Sequence, residues 1–167
     1  IKDNIIYGNE PIRADIDPIH LEKLKFPVFL EVKYQDGRYH ITGKYKNISD
    51  NDESAKPVKY TIDRTADRLP FSINTSVGII SLKRTEAKAL PEGKVLKICI
   101  MSPTMAAVKY TKSLSVSQTS KTTTIAQLVL NDEMPKRATD YLKQLAECYN
   151  RQANEDKNEI ALRTEQF

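Results

Sequence analysis

This chain of 167 residues lacks the sequence patterns that mark most enzymes. It has only five glycines, and it contains neither the G-x-x-x-x-G-K-[ST] phosphate loop nor the G-x-G-x-x-G dinucleotide fingerprint. Its two histidines, His20 and His40, lie in different segments without the spacing of metal ligands. There is no G-x-S-x-G motif and no cysteine with a histidine partner nearby. We therefore predict no catalytic residue, no metal ligand, no cofactor-binding residue and no enzymatic activity.

Cysteine and long apolar runs are equally scarce. Cys99 lies in the apolar segment VLKICIM, and Cys148 lies beside the apolar face of the C-terminal segment. We expect two free thiols, and a disulfide is the alternative if these two segments touch. The longest apolar run is a few residues, far short of the roughly 20 that a transmembrane helix needs. No segment of this sequence is therefore predicted to span a membrane.

The charge balance is mildly basic, with a formal net charge of +4. The excess appears spread over the predicted strands, without a Lys/Arg cluster. Nucleic-acid binding requires a concentrated basic face with aromatic side chains for stacking, so we expect no nucleic-acid partner. Apolar residues make up 40% and charged residues 29% of the chain, which is typical of a globular protein.

The N-terminal half reads as a run of short strands. Asp36-Gly37 separates two alternating segments, which is a strong hairpin signal. No helix-length pattern interrupts this half, so a small antiparallel sheet, sandwich or partial barrel is predicted. The polar loop that contains Asp50, Asp52 and Glu53 is interpreted as solvated. The predicted strands are residues 10–17, 28–34, 38–46, 59–63, 69–74 and 78–84, with a helical turn at 20–26.

The pattern changes after Pro91-Glu92-Gly93. Residues 94–101 form an apolar strand typical of a sheet buried on both faces. Ser102-Pro103 then opens a helix, and strands follow at 114–118 and 122–130. The predicted fold class is α+β: a β-rich N-terminal part plus a small α/β sheet base, with a long C-terminal helix cut in mid-helix. The predicted parts are a β-rich elaboration (1–92), an α/β base (93–134) and the start of a projecting helix (135–167).

The segment from Glu133 to the last residue carries the clearest pattern. No proline or glycine interrupts it after Pro135, and apolar residues first recur at the three- and four-residue spacing of a docked helix face. They then narrow to one in seven, at Ala153, Ile160 and Phe167. A helix of about 50 Å is predicted, whose first half packs and whose second half projects. The predicted docked residues are Ala138, Tyr141, Leu142, Leu145, Ala146 and Tyr149, with the sheet containing 94–101 and 122–130 as their partner.

Because this helix has no C-cap signal and the chain does not begin with methionine, we expect a middle piece of a larger protein. Two interpretations of the outer half of the helix stay open. Pairs such as Glu147–Arg151 and Glu159–Arg163 would make it an ordinary solvated helix. Alternatively, it carries an oligomer or partner contact, for which the candidate residues are Tyr149, Asn150, Glu155, Asp156, Lys157, Ile160 and Phe167.

Two adjoining segments, 113–150 and 151–167, resemble the periplasmic region of the chain-length determinant (Wzz-type) family. The first has an L-x-V strand and a K-[ST]-T-x-I strand, followed by a turn that opens the helix; the matching residues are Leu114, Val116, Lys121, Thr122, Thr123, Ile125, Asp132, Pro135 and Ala138. Met134 stands where the family usually has an asparagine N-cap. The helix matches a further run at Tyr149, Asn150, Asp156, Lys157, Asn158, Ala161, Thr164 and Phe167.

The resemblance is to the branch found in Bacteroides-type bacteria, where this region is fused to a cytoplasmic tyrosine autokinase. It implies a non-catalytic periplasmic domain of an inner-membrane protein, anchored by flanking membrane helices outside this sequence. Such a domain would assemble subunits and regulate the chain length, polymerisation and export of capsular polysaccharide or exopolysaccharide. The implied partners are further copies of the chain, a polysaccharide polymerase and an outer-membrane export channel.

The alternative function is a secreted or periplasmic carbohydrate-binding β module. Tyr34, Tyr39 and Tyr45 lie in predicted strands, where they would form a sugar platform if they shared an open face. The same tyrosines are equally suited to cross-strand packing. An enzyme such as a cell-wall hydrolase is a third alternative, and it lacks a credible pair of acids or a nucleophile.

Overall fold

The computed structural model describes residues 5–48, 54–121 and 125–165, without the side chain of Glu165, and confirms the α+β fold class. The predicted elements are present, with shifts of one to a few residues at their ends. In chain order they are β1 (Ile12–Ile16), α1 (Pro18–Lys23), β2 (Val28–Gln35), β3 (Arg38–Asn47), β4 (Val58–Ala66), β5 (Phe71–Thr75), β6 (Gly78–Arg84), β7 (Val95–Ile100), α2 (Pro103–Thr111), β8 (Leu114–Gln118), β9 (Ala126–Leu130) and α3 (Pro135–Glu165).

The chain folds into two compact units, each with most of its contacts inside itself. The sandwich unit is Gly8–Lys109, and the helix unit comprises Ile1–Tyr7 and Tyr110–Phe167. The boundary between the units falls inside α2, between Lys109 and Tyr110. The boundary predicted from the sequence lies between residues 92 and 93. Six residues named from the sequence pattern lie outside the described residues: Asp50, Asp52, Glu53, Thr122, Thr123 and Phe167.

The sandwich unit has two antiparallel sheets, with strand orders β1-β6-β5 and β4-β3-β2-β7. Buried and exposed residues alternate from Val28 to Val32 in β2, which gives the four-stranded sheet an inner and an outer face, and β1 shows a similar alternation in the three-stranded sheet. The inner faces contribute to a single hydrophobic core, which is the β-rich packing that the alternating pattern predicted. The largest fully buried side chains are Leu30, Ile41, Ile80, Leu82, Val28 and Val32.

The β2–β3 hairpin forms as the Asp-Gly signal predicts. Asp36 and Gly37 both have positive φ, at 52° and 73°, which a two-residue turn of this kind requires. Farther along β3, the inner face narrows at Gly43. A Cβ placed there would lie 2.7 Å from Leu30 Cδ2 and 2.8 Å from the Phe29 carbonyl oxygen. The hairpin therefore depends on glycine at this position because β2 approaches too closely for a side chain.

Strand β7 corrects two predictions. It pairs with β2, with Phe29 opposite Cys99 and Val32 opposite Leu96, and it lies at the edge of the four-stranded sheet. Strands β8 and β9 pair with each other in a separate two-stranded sheet. The prediction that residues 94–101 and 122–130 share a sheet is therefore wrong. The prediction that β7 is buried on both faces is also wrong, because its side chains alternate between buried and exposed.

Helix α2 begins where the sequence predicts. The Ser102 hydroxyl accepts a hydrogen bond from the Met105 backbone N–H at 3.2 Å, and Pro103 occupies the first helical position. Ser102 itself is buried. The cap is therefore built into the structure rather than exposed at its surface.

Candidate functional site

Helix α3 begins at a buried carboxylate. Asp132 Oδ1 accepts a hydrogen bond from the Met134 backbone N–H at 3.0 Å. Arg137, in the first turn of the helix, donates to Asp132 Oδ2 through Nε at 2.7 Å and to Oδ1 through Nη2. Asp132 thus satisfies the backbone N–H of Met134, the residue before the helix, in a local turn, and it orients Arg137 in the first turn of α3.

This pair is well shielded from solvent. The side chains of Asp132 and Arg137 are 4% and 23% exposed. The two hydrogen bonds from the guanidinium are the main reason that the pKa of Asp132 is lowered, and the Met134 N–H acts in the same direction. The pKa of Arg137 is raised, chiefly by the same contact. Both groups are therefore charged at neutral pH, and their fork geometry fixes how the chain enters α3.

A second cluster holds the next turn of α3. The Tyr7 hydroxyl donates to Asp140 Oδ2 at 3.2 Å, and Lys136 Nζ donates to the same oxygen at 3.1 Å. Lys136 Nζ also lies 5.2 Å from the centre of the Tyr7 ring. Tyr110 and Tyr141 stack with their ring centres 4.6 Å apart. Tyr7 and Tyr110 therefore reach the first two turns of α3 from two distant parts of the chain.

Burial along α3 falls from its start to its end. Ala138 is buried, and Tyr141, Leu142 and Leu145 are half-buried. Ala146 and Tyr149 are exposed, so the prediction that they dock is wrong. Tyr149 is 74% exposed. The docked part of the helix therefore ends about one turn earlier than the apolar stripe suggests.

The candidate contact residues lie on the exposed part of α3. At about 100° per residue, Tyr149, Ala153, Asp156 and Ile160 fall within about 60° of one another around the helix. This face continues the line of Ala138, Leu142 and Leu145. Asn150 and Lys157 flank it on one side. Glu155 lies on a different side, more than about 100° from Tyr149, and Phe167 is outside the described residues.

One ion pair and two other polar contacts occur on this part of the helix. Glu159 and Arg163 form the predicted pair, and Gln152 Nε2 donates to Asp156 Oδ1 at 3.0 Å. Arg151, predicted to pair with Glu147, instead has its Nη2 3.8 Å from Cys148 Sγ. These contacts are local to the helix. Within the described residues they engage Asp156 of the Tyr149–Ile160 face and leave Tyr149 and Ile160 exposed.

The tyrosines of the sandwich unit form cross-strand pairs. Tyr34 lies opposite Tyr39, with ring centres 4.8 Å apart, and Tyr45 stacks on Tyr60 at 5.0 Å. Tyr45 is buried, and its hydroxyl oxygen accepts hydrogen bonds from the Ser76 N–H and hydroxyl at 3.2 and 3.3 Å. These rings serve packing, which is the second of the two uses considered from sequence.

Cys99 and Cys148 are both free thiols, as predicted. Within residues 5–48, 54–121 and 125–165, no group of three or more His, Cys, Asp or Glu side chains is placed to hold a metal ion. Over the same residues, no helix combines the length and apolarity needed to cross a membrane.

Comparison with known protein families, curated proteins and solved structures found no match to this chain. The candidate site is therefore characterised by its own geometry: a helix anchored at its base by Asp132, Arg137 and the Tyr7 cluster, with an outer half whose apolar face is exposed.

Sequence reasoning missed several residues of the helix base. Tyr7 and Asp140 are 133 positions apart, and no local pattern indicates that they meet. Arg137 follows Asp132 by five positions across a helix start, and this spacing was a usable signal. A carboxylate two residues before Pro135 and a guanidinium in the first turn indicate a charged N-terminal clamp.

Proposed function

We propose that this chain is a non-catalytic periplasmic domain of a bacterial inner-membrane protein. In this proposal it regulates the chain length, polymerisation and export of capsular polysaccharide or exopolysaccharide through subunit assembly. The resemblance of residues 113–167 to the chain-length determinant family supports the class of protein. The protein would be anchored by membrane helices outside this sequence, and some members of the class carry a cytoplasmic tyrosine kinase domain.

The observation that supports assembly is the continuity of one helix face. Ala138 is buried and Leu142 and Leu145 are half-buried, whereas Tyr149 and Ile160 on the same line are 74% and 65% exposed. From Glu147 to Glu165 the helix extends about 28 Å at 1.5 Å per residue. An apolar face that continues beyond the buried part of its helix is suited to packing against a second copy of the same helix.

The energetics favour assembly only where the subunits are already concentrated. Tyr149, Ala153 and Ile160 include two large side chains, each contributing about 1.5–3 kcal/mol if fully buried. Losing translational and rotational freedom costs at least about 4 kcal/mol. Confinement to a membrane raises the effective concentration and offsets part of this cost. A polysaccharide polymerase and an outer-membrane export channel are the further partners in this proposal.

The proposal is tested in the bacterium that encodes the chain. Its gene is deleted and replaced by wild type, by Ile160→Asp or by Leu162→Asp, and surface polysaccharide is resolved by gel electrophoresis. Leu162 is a matched control because it is 63% exposed but lies about 160° around the helix from Ile160. We expect deletion and Ile160→Asp to change the chain-length distribution, and Leu162→Asp to preserve it.

Three results would count against this proposal. An unchanged polysaccharide in the deletion strain would remove the regulatory role. ATP hydrolysis or autophosphorylation by the purified chain would contradict the non-catalytic assignment. Equal effects of Ile160→Asp and Leu162→Asp would show that the contact does not use the Tyr149–Ile160 face.

The carbohydrate-binding alternative receives no specific support from the tyrosine geometry. Tyr45 is buried with its hydroxyl engaged, and Tyr34 packs against Tyr39. Titration of the purified chain with glycans, followed by tyrosine fluorescence, discriminates the two functions. Saturable binding of a neutral glycan would favour the module.

A further inference from the structure

The outer face of the four-stranded sheet gathers charge that is scattered in the sequence. Strand register places Lys97, Glu31, Thr42 and Asp63 in one row across β7, β2, β3 and β4, and the next row contains Cys99, Phe29, Lys44 and Thr61. Alternation along each strand then assigns the remaining members. The basic residues of this outer face are Lys33, Arg38, Lys44, Lys46, Lys59 and Lys97, and its acidic residues are Glu31 and Asp63.

This face holds the entire formal charge excess of the protein. The chain has 26 basic and 22 acidic residues, and the outer face has six of the former and two of the latter. The rest of the chain is therefore balanced. Asp67, just beyond β4, pairs with Arg38 at 2.9 Å and reduces the local excess by one. The expectation that no basic cluster exists is wrong. Lysines that are far apart in the sequence become neighbours when their strands pair in the sheet.

One corner of the face carries a charge arrangement that costs stability. Lys46 lies directly opposite Lys59, and Lys44 is two residues along the same strand. Like charges at directly opposed positions destabilise a sheet. Among the described residues, none of these three lysines forms an ion pair with a carboxylate. Lys46 has a ring contact instead, with Nζ 5.9 Å from the centre of Phe26. The repulsion is relieved if an external anion approaches this face.

Two apolar side chains accompany the lysines. Phe29 is 55% exposed between Cys99 and Lys44, and Val95 is exposed on β7. Apolar side chains beside lysines are the combination with which peripheral proteins enter the headgroup region of a bilayer. Lysine stems also extend along apolar surfaces while the ammonium groups remain at the polar boundary.

The spread of the cations identifies the shape of the anionic partner. They occupy all four strands, over a width of roughly 15 Å at about 4.8 Å per strand. The cations also fall in five successive rows along the strands, so they spread in two directions. A linear polyanion follows one line, whereas a planar anionic surface contacts cations spread in both directions. We propose that the outer face of this sheet docks on an anionic phospholipid surface. This inference stands on the sandwich unit alone and does not rest on the proposed function.

Binding is measured by sedimentation of the full chain with phosphatidylcholine vesicles, with or without phosphatidylglycerol in roughly equal parts. We expect binding only to the anionic vesicles, and weaker binding as salt is raised, since surface electrostatics is screened. Lys44→Glu with Lys59→Glu should reduce the partition coefficient at least about tenfold. Lys143→Glu with Arg151→Glu, on exposed positions of α3, makes the same change in net charge and should reduce it much less.

The native cysteines report which face touches the lipid. A polarity-sensitive fluorophore is attached to Cys99, beside Phe29, in a Cys148→Ser chain, and to Cys148 in a Cys99→Ser chain. Anionic vesicles should shift the emission of the Cys99 label to the blue and leave the Cys148 label nearly unchanged. Circular dichroism checks that Lys44→Glu with Lys59→Glu still folds. If it does not, Lys44→Gln with Lys59→Gln is used instead to compare vesicle binding with wild type.

Three results would overturn this inference. They are no binding of the wild-type chain to anionic vesicles, equal weakening of vesicle binding by the sheet and α3 variants, and a blue shift of emission confined to the Cys148 label. Polygalacturonate and duplex DNA are tested in parallel as linear polyanions. Tighter binding of either polymer through Lys44 and Lys59 would assign the face to a linear ligand and reject the lipid surface.

Discussion

Replacing Asp132 by alanine tests how α3 is anchored. The carboxylate is 4% exposed and accepts hydrogen bonds from Met134 N–H and from two nitrogens of Arg137. Asp132→Ala leaves the backbone N–H without its acceptor and the guanidinium without its counter-charge. The variant therefore removes the turn before the helix and the first-turn ion pair together, while the apolar residues of α3 remain unchanged.

The magnitude follows from these contacts. Loss of the hydrogen bond to the Met134 N–H costs about 0.5–1.5 kcal/mol, and loss of a hydrogen bond to a charged group costs about 1.5–3 kcal/mol. These costs do not add fully, because Arg137 is 23% exposed and regains water. We expect α3 to lose about 2–3 kcal/mol of local stability, which corresponds to roughly 30- to 150-fold faster amide exchange.

Hydrogen exchange read by mass spectrometry over residues 136–146 is the appropriate assay. The chain has two compact units, so a single global unfolding transition is not assumed. Asp140→Ala is the matched control in the same helix, because its carboxylate is 41% exposed and its partner Lys136 is more exposed still. Its effect on exchange should be clearly smaller.

The same pair predicts a pH dependence. The pKa of Asp132 in the folded chain lies below its ordinary value, first because of the Arg137 hydrogen bonds. The stabilisation is therefore complete above about pH 4, the ordinary range for an aspartate, and is lost as pH falls through the lowered pKa. The difference between wild type and Asp132→Ala should shrink only in that acidic range. Asp132→Ala exchanging no faster than Asp140→Ala at neutral pH would refute the anchoring role.

Three further predictions concern packing and assembly. Gly43→Ala should destabilise the sandwich unit by about 2–3 kcal/mol, because the added methyl overpacks against β2. Gly37→Ala should cost about 1–2 kcal/mol, because Gly37 has open space around it but a positive φ. Urea unfolding measures both losses, and equal losses would contradict the clash at Gly43. Leu145→Ala, at a half-buried site, should cost about 1–2 kcal/mol rather than the larger loss of a full core position, and a loss below about 0.5 kcal/mol would mean that this face does not pack. In dilute solution light scattering should find the purified chain mainly monomeric, and a stable ring would place the assembly contact outside the α3 face.

The local elements were readable from the residues because their causes are local. Asp36-Gly37 specifies a hairpin turn through its backbone preferences, and Ser102-Pro103 specifies a helix start. The uninterrupted segment after Pro135 predicted one long helix, and α3 extends from Pro135 to Glu165. In each case the deciding interactions lie within a few residues of one another along the chain.

Strand partners and surface composition were decided by tertiary structure. β7 carries an apolar run compatible with several neighbours, and its pairing with β2 depends on contacts about 65 residues away in sequence. The clustering of lysines has the same origin. Lys46 and Lys59 become neighbours only when β3 and β4 pair.

The candidate site divides in the same way. The apolar periodicity of α3 by itself determined that one helix face is apolar along its length. It did not determine where that face stops being covered, because coverage depends on Tyr110, Tyr7 and the other residues that reach the helix base from elsewhere in the chain. Periodicity reports the direction in which a side chain points, and only the packed structure supplies the atoms that it meets.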